Sequence, residues 1–528
     1  MQKKQLTLVI VSLLVVVLSV SLAYFTAQII GKGKDVSVTS ANLQIVFTDS
    51  DGAISGSNIE PGWNTTKTFT VENNSKSEYK YNIVIKDLLN TFVTEGYLQY
   101  KITSTNNGYN MTEFKDIPKS STPKDTILAY SVSIPVRVTQ SYTIEFKYAN
   151  DESVDQSDDM GKKLSGTLFI TEGTEEPTLL SQILKDNPTI SERKDFATPF
   201  TETTTGTLFT STESITGITD TPKEVYYYAG NTTNNWVKFA NLYWRIIRTN
   251  HDESIRLLYV GTSHDTTSGN IGTSKFNTSY NSLKYVGYKY GEDTSLDTIR
   301  NNTTDSTIKT YIDTWYKNNL TNYTKYLSTS AVYCNDRKLA SWSTYTAYRE
   351  EHNNKNLLAY VDKNERKTLI AAETAHFGTY FASEERLDTN KSPSYNCTDL
   401  RDAFSVDNTS AKLDYPISLM TADEIAFAGG VKGQIMNTPY AWFISNSAGT
   451  QVSTSWWTLS PRGLGDGHAD VFRVGGSSSP GFLNDDVVSS ANGVRPALSL
   501  KLCVKYSSGN GSASDPYTIK ETTSTSGC

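Results

Sequence analysis

Apolar and polar residues alternate along much of the first third of the chain. SVSIPVRV (131–138) and YTIEFKY (142–148) show the alternation most clearly, and four further segments share it: LQIVF (43–47), TKTFTV (66–71), YKYNIVI (79–85) and GTLFIT (166–171). A period of two places successive side chains on opposite faces of a strand, so one face of each segment is apolar. About seven such strands separated by polar turns predict an antiparallel β-sandwich, of which a jelly roll is one form, over residues 36–172.

A long uncharged apolar run lies near the N-terminus. It extends from Leu6 to Phe25 behind two lysines, and as a helix it would measure about 30 Å, which is enough to span a bilayer. A small-x-small triplet at 21–23 fits a cleaved signal peptide equally well. We therefore expect residues 1–30 to be a signal peptide or a transmembrane anchor. If it is not cleaved, the chain contacts the membrane through residues 6–25, and in both cases the rest is exported.

The charge distribution argues against nucleic acid as a partner. The 528-residue chain carries a formal net charge of −7, with acidic and basic residues intermixed. Binding to a duplex needs a cluster of Lys and Arg that neutralises a row of phosphates, and the sequence contains none. A chain of this length is expected to hold several domains. Its many Thr, Ser, Asn and Tyr residues favour short strands over long helices, so the fold class is expected to be mainly β.

All four cysteines lie in the C-terminal part of the chain, at Cys334, Cys397, Cys503 and Cys528. Four cysteines allow three pairings, and their order along the chain favours Cys334 with Cys397 and Cys503 with Cys528. The alternative is four unpaired buried thiols, which an oxidising exterior makes less expected.

Residues 173–223 differ in composition from the segments on either side. EEPTLLSQILKDNP predicts a short helix between Pro177 and Pro188. The following TETTTGTLFTSTESITGITDTP is so rich in Thr and Ser that it predicts a connector without a core of its own. Because Thr also favours strands, a further pair of strands belonging to a neighbouring domain is the alternative.

The region from 224 to 528 combines strands with helices. WVKF (236–239) and the segments 242–248 and 255–260 predict a three-stranded meander. DSTIKTYIDTWYKNNL (305–320) predicts an amphipathic helix capped by Asp305 or Ser306, whose aromatic stripe we interpret as packing. In MTADEIAFAGG (420–430), Thr421 and Glu424 fit a capping box at the start of a short helix. An α+β domain is therefore expected here.

The N-terminal part resembles a known family. EPGWNTTKTFTVENNS (60–75) and YTIEFKYANDESVDQSDDMGKKLSGTLFI (142–170) are similar to segments of camelysin-like and TasA-type exported proteins. The resemblance covers most of residues 1–172 and implies a β-sandwich surface or biofilm-matrix protein of Gram-positive bacteria, some of which carry a peptidase label. This chain has no histidine before His251, so a zinc site built on imidazole is excluded in this domain.

The C-terminal part resembles uncharacterised surface domains of Gram-positive bacteria. The matching landmarks recur in one order over residues 234–519 and include CNDR (334–337), NKSPSYNC (390–397), WWTLSPR (456–462) and GVRPALSLK (493–501). In that family the counterparts of Cys334 and Cys397 occur together, which supports their pairing here. The Trp-rich strand and the closing GVRP strand look like the end of a C-type-lectin-like fold, although a fold analogy does not give a function.

Residues 456–501 hold the candidate ligand site. WWTLS (456–460) and GVRPALSLK (493–501) predict strands, and the loops 461–469 and 475–481 between them are Gly-rich. Loops on a rigid scaffold are common ligand sites, and this segment carries aromatic, cationic and carboxylate groups that interfaces favour: Trp457, Arg462, His468, Asp470, Phe472, Asn484 and Asp486. The alternative is that Trp456 and Trp457 fill the core and the loops bind nothing.

Catalytic and metal chemistry has little support. Calcium needs several oxygen ligands at once, whereas the adjacent Asp485 and Asp486 would face opposite sides of a strand. The sequence contains no G-x-S-x-G motif. Glu373 and His376 are spaced for a metal but lack a third ligand, and His468 beside Asp470 is the one candidate base. We therefore expect no cofactor and no metal, and we do not expect an enzyme.

Together these features predict a multi-domain, exported cell-surface protein of a Gram-positive bacterium, either anchored or secreted. Residues 224–528 would carry a non-catalytic ligand-binding or adhesion role, with an unknown extracellular glycan or protein as the ligand. One alternative is a structural matrix or fibre subunit that assembles through strand exchange by the β-sandwich. A hydrolase is the third possibility.

Overall fold

The computed structural model of the chain describes residues 36–40, 43–49, 53–55, 59–343, 348–352, 355–361, 367–371, 378–436, 441–447, 453–465 and 467–528. The chain is mainly β and divides into two compact units, Met1–Glu176 and Pro177–Cys528. The predicted leader at 1–30 and the Glu373–His376 pair lie outside the described residues. Among the residues that are described, no helix is both long enough and apolar enough to cross a bilayer.

The first unit contains ten strands, numbered along the chain: β1 (Val36–Ser40), β2 (Leu43–Asp49), β3 (Ala53–Ser55), β4 (Asn64–Asn73), β5 (Tyr79–Asn90), β6 (Leu98–Ser104), β7 (Lys115–Asp116), β8 (Ser120–Ile134), β9 (Thr139–Tyr148) and β10 (Leu164–Glu172). One sheet has the order β1-β2-β4-β9-β6-β7 and the other β3-β10-β5-β8, and all pairs are antiparallel. Apolar residues of both sheets share one core, as the alternation predicts for a sandwich.

One predicted strand of this unit ends early. The alternating segment 131–138 continues β8 only to Ile134, after which the chain turns and Val136 is exposed. Pro135 has no backbone N–H to donate to a ladder, and Arg137 has a φ of 58°, which belongs to turns rather than strands. Val132 and Ile134 are buried as expected.

The strands of the second unit continue the numbering: β11 (Thr189–Ser191), β12 (Thr207–Glu213), β13 (Lys223–Tyr227), β14 (Trp236–Phe239), β15 (Leu242–Thr249), β16 (Ile255–Gly261), β17 (Thr273–Lys275), β18 (Lys289–Tyr290), β19 (Thr304–Asp305), β20 (Tyr333–Cys334), β21 (Tyr348–His352), β22 (Lys355–Val361), β23 (Lys367–Ala371), β24 (Thr379–Tyr380), β25 (Ala403–Phe404), β26 (Ile417–Leu419), β27 (Trp456–Gly465), β28 (His468–Val474), β29 (Leu483–Val487), β30 (Ala491–Gly493), β31 (Pro496–Leu500), β32 (Tyr506–Ser508) and β33 (Tyr517–Ile519). Its helices are α1 (Leu179–Asp186), α2 (Leu296–Ile299), α3 (Thr307–Asn319), α4 (Ala382–Glu384) and α5 (Ala422–Ala428).

Two large sheets organise this unit. The ten-stranded sheet follows β11-β12-β13-β15-β14-β33-β32, with β16, β31 and β26 continuing from β15. The six-stranded sheet follows β17-β30-β27-β28-β29, with β24 beside β27. The predicted meander is β14-β15-β16, and its first turn has positive φ at Ala240 and Asn241, as a tight hairpin requires. Most of the core residues of the unit form one cluster, in which strands and helices both take part.

The segment from 177 to 223 belongs to the second unit and is not a separate connector. Its helix α1 forms as predicted, with Thr178 as the N-cap. The Thr-rich part supplies β12, which pairs with β13 and β11 in the ten-stranded sheet, and Leu208, Phe209 and Ile215 are buried. The few apolar residues between the threonines are therefore enough for a strand, and the alternative left open for this segment is the arrangement observed.

Each disulfide joins two consecutive cysteines along the chain. Cys334 bonds Cys397 and Cys503 bonds Cys528, with Cα separations of 5.8 and 5.7 Å. The favoured pairing is confirmed.

Candidate functional site

The two aromatic residues of the predicted ligand site lie in the core. Trp457 and Phe472 have 0% exposure, and the Trp457 indole N–H donates to the Ser274 carbonyl at 2.9 Å. A side chain without exposed surface does not contact a ligand, so the packing alternative is the one observed for Trp456, Trp457 and Phe472. The predicted loop 461–469 is also mostly strand, because bulges around Pro461 let β27 continue to Gly465.

Two charged residues of the predicted site, Arg462 and Asp470, belong to one ion cluster. Arg462 lies at its centre, with Nε 3.1 Å from Glu384 and Nη1 3.3 Å from both Asp470 and Asp485. Lys432 adds a 2.8 Å ion pair to Asp485. Two of the predicted ligand contacts, Arg462 and Asp470, are therefore each other's partners, which leaves little charge for a ligand.

Burial shifts the protonation of the carboxyls in this cluster. Desolvation, reinforced by the nearby Asp485 carboxylate, raises the pKa of Asp470 to about 7 despite the opposing effect of Arg462. Burial also raises the pKa of Glu384. His468 packs against Tyr280 with ring centroids 5.3 Å apart, and within the described residues no hydrogen bond or ion pair joins it to Asp470. The candidate base and its candidate partner are therefore not brought together.

Asp470→Asn is expected to stabilise the chain near pH 8 and to change its stability little near pH 4. The folded protein keeps the Asp470 proton up to about pH 7, whereas the unfolded chain releases it near 3.8. The contribution of Asp470 to wild-type stability therefore falls as pH rises between these values and is level above them. Asn resembles the protonated carboxyl, so the gain at high pH reaches as much as about 4 kcal/mol. Urea unfolding across this pH range measures it.

The control for that prediction is Asp407→Asn, at an exposed carboxylate outside the Arg462 ion cluster. Equal pH slopes in wild type and the Asp470→Asn variant would contradict the assignment.

Asp486 contacts Arg473 at 3.4 Å and accepts from Asn492 at 3.0 Å, whereas Lys432 contacts Asn484 and Asp485. The opposite orientation of the two adjacent aspartates is as predicted.

A cage of three carboxylates on and beside α3 escaped the sequence analysis. Asp305, Asp313 and Asp414 have carboxylate oxygens within 4.8 Å of one another. The buried Lys309 ammonium lies among them, at 3.1, 2.6 and 2.7 Å, and these carboxylates raise its pKa. The protein thus supplies the cation for this cage itself. The i, i+4 spacing of Asp305, Lys309 and Asp313 was the available signal, whereas Asp414 is distant in sequence.

A groove of about 660 Å³ runs along α3. Three half-buried aromatic residues line it: Tyr290, Tyr311 and Trp315. Hydroxyl and amide side chains line the rest, mainly Ser274, Thr278, Thr307, Thr310, Thr314 and Asn318. Aromatic surface with a few placed polar groups is the usual composition of a small-ligand site. We take this α3 groove as the candidate functional site.

The helix builds the groove because its two faces differ. Ser306 caps α3, and Ile308, Ile312 and Tyr316 are buried in the core. Tyr311 and Trp315 lie to the side of that stripe and reach the groove. The interpretation of the stripe as packing was therefore correct for the buried residues and incomplete for Tyr311 and Trp315. Half-buried positions flank the core-facing side of every amphipathic helix.

A smaller cleft of about 350 Å³ lies beside α4. Its Arg386 guanidinium contacts Asp336 at 2.6 Å and Asp423 at 2.9 Å, and the Glu385 carboxylate accepts from the backbone N–H of Ser341 at 2.7 Å. These charged groups are paired within the protein. The cleft therefore offers a ligand fewer free polar groups than the α3 groove does.

The fold and the groove define a mainly β, disulfide-containing protein with an aromatic, hydroxyl-lined groove in its second unit. No protein-family model matches the chain, and no curated protein matches it.

Proposed function

We propose that the chain is an exported cell-surface protein whose second unit binds an extracellular ligand in the α3 groove without transforming it. The groove carries this proposal, because it combines three accessible aromatic rings with hydroxyl and amide groups. Two disulfides fit an oxidising environment outside the cytoplasm.

The non-catalytic role is supported by how the reactive side chains are used. The four described carboxyls with raised pKa values are all paired with cations. Glu384 and Asp470 contact Arg462, Asp313 contacts Lys309, and Asp402 contacts Arg337. General acid–base catalysis needs such groups within reach of a substrate. Among the described residues, the carboxyl that lines the α3 groove is Asp305, and it is paired with Lys289 and Lys309. The lectin-like fold and the anchor or signal peptide remain predictions, and N-terminal sequencing of the exported protein tests the second.

A fibre-forming role for the first unit has weaker support. Two of the four edge strands are poorly suited to pairing. The strand β7 is two exposed charged residues long, and β8 carries exposed Pro123 and Lys124 and several register shifts. Short, charged, proline-bearing and bulged edges hinder pairing between sheets.

Blocking the groove is expected to abolish ligand binding. Thr310 is exposed on α3, so Thr310→Arg places a long side chain in the groove and leaves the core intact. The full chain in mild detergent is applied to a glycan array and a peptide array, and its bound ligands are then checked by mass spectrometry.

Thr321→Arg, exposed and outside the groove, is the matched control for this variant. The affinity for bound ligands should fall by at least about tenfold in Thr310→Arg and stay unchanged in Thr321→Arg. The ligands should be recovered chemically unmodified. Binding that survives Thr310→Arg, or a chemically altered ligand, would refute the proposed function.

A further inference from the structure

We propose that the α3 groove binds a short linear chain of neutral sugars, an inference that rests on the ligand-binding function proposed above and names its ligand class. Three independent features of the groove carry it: the spacing of its rings, the hydrogen-bonding capacity of its walls and the internal neutralisation of its charge.

The rings are spaced and fixed for successive sugar units. Tyr311 and Trp315 are four residues apart on α3, so they are displaced by about 6 Å along the helix axis, comparable to the repeat of pyranose units in a linear chain. Trp315 packs edge-on against Tyr259 with centroids 5.4 Å apart, and the Tyr311 hydroxyl donates to the Ile271 carbonyl at 3.4 Å. Rings held this way stack on the apolar C–H faces of sugars at little entropic cost. Tyr290 adds a third ring to the lining.

The walls suit a ligand rich in hydroxyls. The Thr310 and Thr314 hydroxyls donate to the carbonyls of Ser306 and Thr310, at 3.2 and 2.8 Å, which leaves their oxygen lone pairs available to accept. Asn318 is exposed and carries both donors and an acceptor. Each sugar hydroxyl both donates and accepts, so it can meet either kind of partner.

The charge of the groove is neutralised within the protein. Asp305 is the charged residue in the described lining, and it contacts Lys289 at 3.2 Å and Lys309 at 3.1 Å. A ligand therefore meets neither an unpaired carboxylate nor an unpaired ammonium. This favours a neutral ligand over sulfated, phosphorylated or strongly basic ones.

A peptide fits the groove less well. Extended peptides bind by adding a strand to a free sheet edge, but one wall is α3, whose backbone groups bond within the helix. The neighbouring edge strand, β17, is three residues long, and its Ser274 carbonyl already accepts from Trp457. Few backbone groups remain for a peptide to pair with.

Calorimetry on the full chain tests the proposal with neutral gluco-, manno-, galacto- and chito-oligosaccharides of one to six units. For at least one series, affinity should rise over the first few units and then level off. Trp315→Ala should weaken binding by about tenfold or more, Trp315→Phe should restore part of it, and Asn318→Ala should weaken it less. Trp342→Ala, which removes a 48% exposed ring outside the groove, should leave it unchanged. Affinity should be nearly independent of salt concentration.

The outcomes distinguish the sugar proposal from the ligand-binding function on which it rests. If no neutral oligosaccharide binds while a peptide does so in a manner blocked by Thr310→Arg, the sugar assignment falls and the ligand-binding function stands. If neither class binds, both fall. Oligosaccharide binding that is unaffected by Trp315→Ala, in a variant whose thermal unfolding matches wild type, overturns the groove as the sugar site.

Discussion

Glu424→Gln is expected to destabilise the second unit by about 3–5 kcal/mol at neutral pH, because it leaves two buried guanidinium groups without their shared carboxylate. Glu424 has no exposed side-chain surface and contacts Arg248 at 2.8 Å and Arg256 at 2.6 Å. Its other oxygen accepts from the Thr421 backbone N–H at 2.9 Å, closing the capping box of α5. Urea unfolding of the variant and wild type gives the difference.

Thr421→Ala separates the lost charge from the lost helix cap. It removes the other half of the capping box and should cost only about 1 kcal/mol. Equal losses in the two variants would mean that the cap, and not the ion network, accounts for the effect.

Acid should weaken the same network in wild type. The Arg256 and Arg248 charges hold the pKa of Glu424 below its usual range, and Arg248 chiefly lowers the pKa of Glu213 to about 2, both against the effect of burial. Depressed carboxyl pKa values stabilise the fold above the ordinary value of 4.5 and lose that stabilisation as pH falls toward 2.

Local features of the fold could be predicted from the sequence because they depend on neighbouring residues. The six period-two segments became β2, β4, β5, β8, β9 and β10 of the first unit, whereas β1, β3, β6 and β7 were not predicted. The Thr421–Glu424 spacing indicated the capping box, and the cysteine order indicated both disulfides. Each of these signals lies within a short stretch or a simple order along the chain. The strand β12 was harder to recognise, because its hydrogen-bonded neighbours, and not its composition, decide that it belongs to a sheet.

The candidate site depended on contacts between distant residues, which the sequence does not display. Arg462 contacts Glu384, which lies 78 positions away. Because of this contact, Arg462 and Asp470 belong to an internal ion cluster and are not free to bind a ligand. The α3 groove likewise combines a helix with residues 274–290. Periodicity could identify the buried face of α3, but the elements that border its flanks follow only from the tertiary structure.

Lys309→Met is expected to cost about 3–5 kcal/mol at neutral pH, because Asp313 and Asp414 then lose the ammonium they share, while Asp305 keeps its ion pair with Lys289. The side chain of Lys309 is fully buried, and Met fills a similar volume, so lost packing contributes little. Lys185→Met, at an exposed lysine on α1, is the control and should change stability by less than about 0.5 kcal/mol. Urea unfolding measures both variants.

The cause of that loss can be separated from a packing defect by titrating the carboxylates. Burial raises the pKa of Asp313 in the wild type. If uncompensated negative charge destabilises Lys309→Met, lowering the pH therefore protonates Asp313 and narrows the stability difference from wild type. Calcium should narrow it at neutral pH as well, because carboxylate oxygens within 4.8 Å of one another suit a divalent cation once the ammonium is gone. A deficit that responds neither to acid nor to calcium would show that the Lys309 charge does not hold this end of α3 together.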